Sequence, residues 1–192
     1  MIRSIILTLL SISIVFSQET KSRIHAPGDW NTEKIFFPLE FAPEIDYKGF
    51  EEIRFAPGWS DASSDEFWTY HFSWFIEDGN PMSEDLLAEI VSIYFDGLSK
   101  AVLKEFSDDS IKATSLDKTL CLFVKTNHGF KGKIRMFDSF FTKDYVHLNV
   151  RVSESICLES NKQQISFDIS PKRFDHEVWK LFELIEIAEV CE

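Results

Sequence analysis

Phe67 to Glu77 reads FWTYHFSWFIE, and its alternate residues Trp68, Tyr70, Phe72, Trp74 and Ile76 are all large and apolar. Successive side chains of a β-strand point to opposite faces, so this spacing predicts a strand with one continuous apolar face. The other face, Phe67, Thr69, His71, Ser73, Phe75 and Glu77, is mixed. After a turn at Asp78-Gly79-Asn80-Pro81 the longest helical pattern of the chain begins, and strand and helix are expected to share one core.

That helix is read over Ser83 to Phe106. Ser83 can cap its N-terminus, Glu84 and Asp85 suit the positive end of the helix dipole, and Lys100 and Lys104 suit the negative end. Leu87, Ile90, Val91, Tyr94, Leu98, Ala101 and Val102 recur at three and four, which makes one broad apolar stripe. Gly97 interrupts the stripe at a cost of about 1 kcal/mol relative to alanine, which points to another element approaching closely there.

Working outward, Gly49 to Ala56 alternates Glu51, Ile53 and Phe55 against Phe50, Glu52 and Arg54, a half-buried strand closed at Pro57-Gly58. Beyond the helix and an acidic turn at Ser107 to Ser110, strand patterns follow at Thr119 to Thr126, Lys131 to Phe141, Tyr145 to Cys157 and Gln163 to Ser170. A second helix is read over Asp175 to Val190, burying Val178, Trp179, Leu181, Phe182 and Ile185. Antiparallel strands in runs, with helices segregated to one face, give an α+β domain: a curved antiparallel sheet of about six strands packed against a long central helix and a C-terminal helix.

The N-terminus shows Arg3 followed by an apolar run from Ile5 to Phe16 and small Ser17, which reads as a signal peptide over 1–17. Export to the periplasm or the extracellular medium is therefore expected, with no integral membrane segment after cleavage. Residues 18–48, with Pro27, Pro38 and Pro43 around the apolar IFFPLEF, read as an extended arm packed on a single domain at 49–192. The net charge is −12, and 44% of residues are hydrophobic and 15% aromatic. This composition is that of a folded domain, and its acidity argues against nucleic acid as a partner.

Cys121, Cys157 and Cys191 permit one intrachain bridge in an oxidising compartment. The last strand runs back about 24 Å from Cys157 and the second helix returns about 24 Å, so Cys157 and Cys191 are the expected pair and Cys121 the buried free thiol.

Two surfaces could carry a function. Trp59, Trp68, Tyr70, Trp74 and Tyr94 can form the aromatic lining of a ligand pocket between sheet and helix. From Lys125 to Arg151 there are six basic and two acidic residues, and Lys133, Arg135 and Arg151 could form a patch for an anion or an acidic partner. Placing Tyr145 opposite Phe141 would put Arg135 opposite Arg151. For catalysis, His71 or His147 with Asp61, Asp65 or Glu77 are the candidate acid–base groups. No i, i+4 histidine pair, Cys-x-x-Cys, Gly-x-Ser-x-Gly or phosphate loop occurs, so no metal or cofactor is expected. The reading is an exported, noncatalytic binding or interaction domain for a small apolar or aromatic molecule or a protein, the alternative being a hydrolase-like enzyme with a histidine–carboxylate pair.

Overall fold

A computed structural model describes residues 21–105 and 116–191. The predicted signal peptide, the acidic turn at 107–110 and Phe106 lie outside the described residues. Strand β1 is Ile24–His25, β2 Asn31–Phe36, β3 Gly49–Phe55, β4 Tyr70–Ile76, β5 Leu120–Thr126, β6 Gly129–Phe137, β7 Tyr145–Cys157, β8 Lys162–Ser170 and β9 Glu186–Ile187; helix α1 is Glu84–Glu105 and a 3₁₀ helix spans Glu177–Leu184. Strands β2 to β8 form one seven-stranded antiparallel sheet in the order β2-β3-β4-β8-β7-β6-β5, and β1 pairs with β9. The fold is thus α+β, with a strand more in the main sheet than expected. The additional strand is β2, supplied by the segment read as an arm.

The aromatic stretch sits at the centre of that sheet, between β3 and β8. Phe72 stacks on Phe167 of β8 with ring centroids 4.4 Å apart and on Tyr94 of α1 at 5.5 Å. Ile134, Met136, Leu148, Val150, Val152, Ile165, Phe167 and Ile169 complete the same buried face, as the alternation of their strands requires. α1 lies on this face, its Leu87, Ile90, Val91, Tyr94, Phe95, Val102 and Leu103 buried. Ser83 Oγ accepts from Leu86 N at 3.2 Å, the expected N-cap.

A Cβ on Gly97 would stand 2.0 Å from the carbonyl oxygen of Phe41, so the approaching element inferred from the sequence is the segment following β2. Gly97→Ala gains about 1 kcal/mol of helix propensity but forces a backbone to move. A net loss of roughly 1–2 kcal/mol in urea unfolding is expected; a stabilised variant would mean that the approach is not rigid.

Three expectations are corrected. Trp68 is not in β4: its φ is +52°, in the left-handed region, and regular pairing starts at Tyr70. The second helix is a 3₁₀ turn ending at Leu184, after which Ile185 is extended so that β9 can pair with β1. That element also lies on the opposite face from α1. Arg151 stacks on Trp179 at 4.7 Å and pairs with Asp168, the residue opposite His71, whereas Phe72 faces α1. The central strands are consequently buried on both sides, α1 covering one face and the terminal segments the other. Trp30, Ala56, Val178, Trp179 and Phe182 make a second, smaller core in that outer layer.

The register of β6 and β7 also differs from expectation. Phe137, not Phe141, lies opposite Tyr145, so Arg135 faces His147 and Lys131 faces Arg151. The cause is the loop at 138–144. The buried Asp138 carboxylate accepts from the backbone N–H groups of Phe140, Phe141 and Thr142 at 2.8–3.0 Å and so ends the ladder early. The shift of four residues preserves the faces, because it is even.

The bridge Cys157–Cys191 is present, with Cα atoms 5.2 Å apart. Cys121 is free but only half-buried, since β5 is an edge strand whose Leu120, Leu122 and Val124 are exposed. Burial of its thiol nevertheless pushes its pKa up to about 12, which keeps it protonated and unreactive at neutral pH. Among the described residues no helix is long and apolar enough to cross a membrane.

Candidate functional site

Loop residues place the first walls of an aromatic cavity. The chain after β3 turns at Pro57-Gly58, Glu66 accepts from Gly58 N at 2.8 Å, and Trp68 N donates to the Trp59 carbonyl at 2.9 Å. This closure sets Trp59 and Trp68 edge to face, 6.3 Å apart. A non-glycine residue at positive φ costs on the order of 1–2 kcal/mol; Trp68 adopts it where regular pairing stops, and its ring stays 6.0 Å from Tyr70 on the cavity side. From the loop that Asp138 organises, Phe141 reaches Trp59 at 5.0 Å and Phe140 reaches Trp68 at 5.9 Å. Phe55, at 4.3 Å from Trp59, joins them from β3.

These rings, with Tyr70, the β2 residues Glu33 to Phe36, the following residues Phe37, Pro38, Glu40 and Phe41, and Tyr94, Leu98, Ala101 and Val102 of α1, surround a cavity of about 950 Å³. Four of the five predicted ligand residues, Trp59, Trp68, Tyr70 and Tyr94, therefore share one cavity. The fifth, Trp74, is fully buried beneath it and contacts Phe37, Tyr47, Tyr94 and Phe167. Trp68 Nε1 is buried with no hydrogen-bond partner among the described residues, so Trp68 offers the cavity its ring rather than its N–H.

Under the cavity lies a residue that the sequence did not single out. Glu51 is completely buried, and its carboxylate accepts from Trp74 Nε1 at 2.5 Å and from the Tyr94 hydroxyl at 2.9 Å. Burial pushes its pKa up to about 7 against the two hydrogen bonds, which pull it down, and the charge of Glu33 adds to the rise. Tyr70 and Tyr94 are raised well above the ordinary phenol value, by burial first and by Glu51 second. The available signal was phase: Glu51 alternates with Ile53 and Phe55, so an acid occupied an apolar face.

On the opposite face of β4 the predicted catalytic histidine has a partner, though none of those expected. His71 Nδ1 lies 2.8 Å from Asp168 Oδ1 and its Nε2 lies 2.9 Å from Ser73 Oγ, which contacts Ser166 Oγ at 2.8 Å. Asp61 instead binds Ser63 and Asp65 binds Lys172, interactions that hold both carboxyls below the usual range, and Glu77 is exposed. His147 is exposed opposite Arg135 and has no carboxylate partner among the described residues. The serine–histidine–aspartate order resembles a nucleophilic triad in distances. Its surroundings differ: Ser73 is fully buried in a central strand whose neighbours on both sides are paired. A nucleophile needs an exposed oxygen beside free N–H donors.

The basic patch is partly neutralised from within. Arg151 pairs with Asp168 at 3.2 Å, Arg135 stacks on Tyr145 at 3.9 Å and reaches Asp117 at 3.4 Å, and Lys133 lies exposed between them on the sheet face. The like charges that do face each other, Lys131 and Arg151, are drawn to different partners, Arg151 to Asp168 on the β8 side and Lys131 to the ring of Phe174 at 5.0 Å. Among the described residues no group of three or more histidines, cysteines or acids could hold a metal ion. No protein-family model, no curated protein and no solved structure matches this chain, so its site is read from its own chemistry.

Proposed function

We propose that this chain is an exported, noncatalytic binding domain that takes a small apolar or aromatic molecule into the cavity walled by Trp59, Trp68, Tyr70 and Tyr94. The observation that carries the reading is that rings from two loops, from β3 and β4 and from α1 converge around about 950 Å³ instead of filling it. Cavities of roughly 300–1,000 Å³ lined by apolar side chains with a few polar groups are the ordinary form of small-molecule sites. The sheet and the loops wrapped about the far half of α1 supply the enclosure. The disulfide supports an oxidising compartment.

Titration with N-phenyl-1-naphthylamine, an uncharged apolar fluorophore, tests it. Saturable binding at one site is expected, weakened at least tenfold by Trp59→Ala and by Ala101→Trp, which sets an indole into the cavity from the exposed side of α1. Binding that ignores Ala101→Trp would place the probe elsewhere and count against the site. The hydrolase-like alternative has the Ser73–His71–Asp168 contacts in its favour. Covalent trapping of Ser73 by a fluorophosphonate in the native protein would favour that reading instead.

A further inference from the structure

Among the described residues the ionisable side chains around the aromatic cavity are effectively of one sign. Glu33, Lys34 and Glu40 reach its lining. Lys34 is spoken for on the other face of the sheet, its Nζ 3.0 Å from Glu52 Oε1 and 3.7 Å from the centroid of the Phe50 ring. Glu33 and Glu40 are exposed and have no cationic partner among the described residues. Behind Tyr94 stands a third carboxylate, Glu51, joined to the cavity wall through the Tyr94 hydroxyl. Among the described residues no basic side chain other than the occupied Lys34 lines the cavity.

An aromatic enclosure with acids at its mouth treats the three charge types of ligand differently. A neutral apolar molecule gains from burial alone. An anion meets the carboxylates. A cation bearing apolar groups gains from burial, from the negative faces of the rings and from the acids, and a weakly hydrated ammonium loses little on leaving water. Chain charge works in the same direction, since a net charge of −12 raises the local concentration of cations. We propose that the occupant is an organic cation, a quaternary or tertiary ammonium carrying aromatic or alkyl groups, held by the rings of Trp59, Phe141 and Tyr70 with Glu33 and Glu40 at the entrance. This rests on the cavity being a ligand site, as proposed above.

The test compares phenyltrimethylammonium with tert-butylbenzene, which has the same shape with carbon in place of the charged nitrogen. Binding is followed by tryptophan fluorescence at low ionic strength in the wild type, in the double variant Glu33→Gln/Glu40→Gln and in Ala101→Trp. The cation is expected to bind at least tenfold more tightly than its isostere. The double variant should weaken the cation about fivefold or more and leave the isostere unchanged, and Ala101→Trp should weaken both. Equal or tighter binding of tert-butylbenzene would overturn the cation assignment while the apolar site stands. Cation binding undiminished in Ala101→Trp would also overturn it, by showing attraction to the acidic surface alone. Binding of neither probe would remove the site itself, and this inference with it.

Discussion

The double variant Cys157→Ser/Cys191→Ser is expected to lose about 3–4 kcal/mol of unfolding free energy, read as a lower urea midpoint with intact cooperativity at the sheet. The bridge spans 34 positions, and tying such a loop removes that much chain entropy from the unfolded state. Its local consequence follows from the layer it holds. Cys191 ends the segment whose 3₁₀ helix and β9 cover one face of the sheet, and β9 in turn pairs with β1. Past the small core of Val178, Trp179 and Phe182, that end is held to the N-terminal segment by the pairs Ile24 with Ile187 and His25 with Glu186, by Ala188 N donating to the Arg23 carbonyl and by Arg23 donating to the Glu189 carbonyl, contacts at the edge of the layer that the bridge reinforces. Both cysteines are replaced because a single substitution would leave a partner thiol free to pair with Cys121. Amide exchange should show early loss of protection at Val178, Trp179 and Phe182 while Phe72 and Phe167 stay protected. A loss below about 1 kcal/mol would mean that the outer layer is held by its apolar contacts without the bridge.

Much of this fold was legible because two of its elements are strongly periodic. The period-two aromatics of β4 and the three-and-four spacing of α1 each report a buried face, and both elements fall within a residue or two of their predicted bounds, apart from the entry to β4. The failures have separate physical causes. Trp68 obeys the alternation in sequence, but a left-handed φ is a backbone property that its side chain does not announce. Trp179, Phe182 and Ile185 recur at three, a spacing that an α-helix and a 3₁₀ helix both satisfy, and tertiary pairing of β9 with β1 decided between them. The strand register turned on one loop carboxylate, Asp138, whose acceptor role depends on a turn not visible from composition. The disulfide pairing came out as expected although the returning element did not. Eight residues of 3₁₀ helix rise about 16 Å and the extended residues after it make up the rest, so the distance argument survived the change of element.

The cavity was legible in part for a related reason. Trp59, Trp68, Tyr70 and Tyr94 could be grouped because they flank one strand and one helix face. Phe140, Phe141 and the residues Phe37, Pro38, Glu40 and Phe41 arrive from loops and from the strand edge, and no periodicity links them to the others. The His71 partner escaped for the opposite reason. Asp168 is distant in sequence and joins His71 only through the pairing of β4 with β8, which nothing local to either strand dictates.

Glu51 carries the second large expectation, a fall in stability as pH rises through neutrality. Its carboxyl titrates near 7 in the folded protein and near 4.5 when unfolded, because burial opposes the charge. Between those values the folded state binds more protons than the unfolded state, so stability contributed by this group is fully present below about pH 4.5 and is lost as pH climbs through about 7. At 1.36 kcal/mol per pK unit the loss is about 3 kcal/mol. Other acids act in the opposite direction: Glu52, hydrogen-bonded by Lys34 and Ser22, is held below its ordinary value, so the whole-protein curve mixes the two. The clean measurement is therefore a difference. In Glu51→Gln the amide oxygen can still accept from Trp74 Nε1 while the amide nitrogen, in place of the other carboxylate oxygen, donates to the Tyr94 hydroxyl, and no charge develops. The unfolding free energy of wild type minus variant, measured in urea at pH 5 and at pH 8, should become less favourable to wild type by about 2–3 kcal/mol at the higher pH. A difference independent of pH would mean that Glu51 titrates as it does in the unfolded chain, and that its charge is solvated by water entering beside Tyr94 from the cavity.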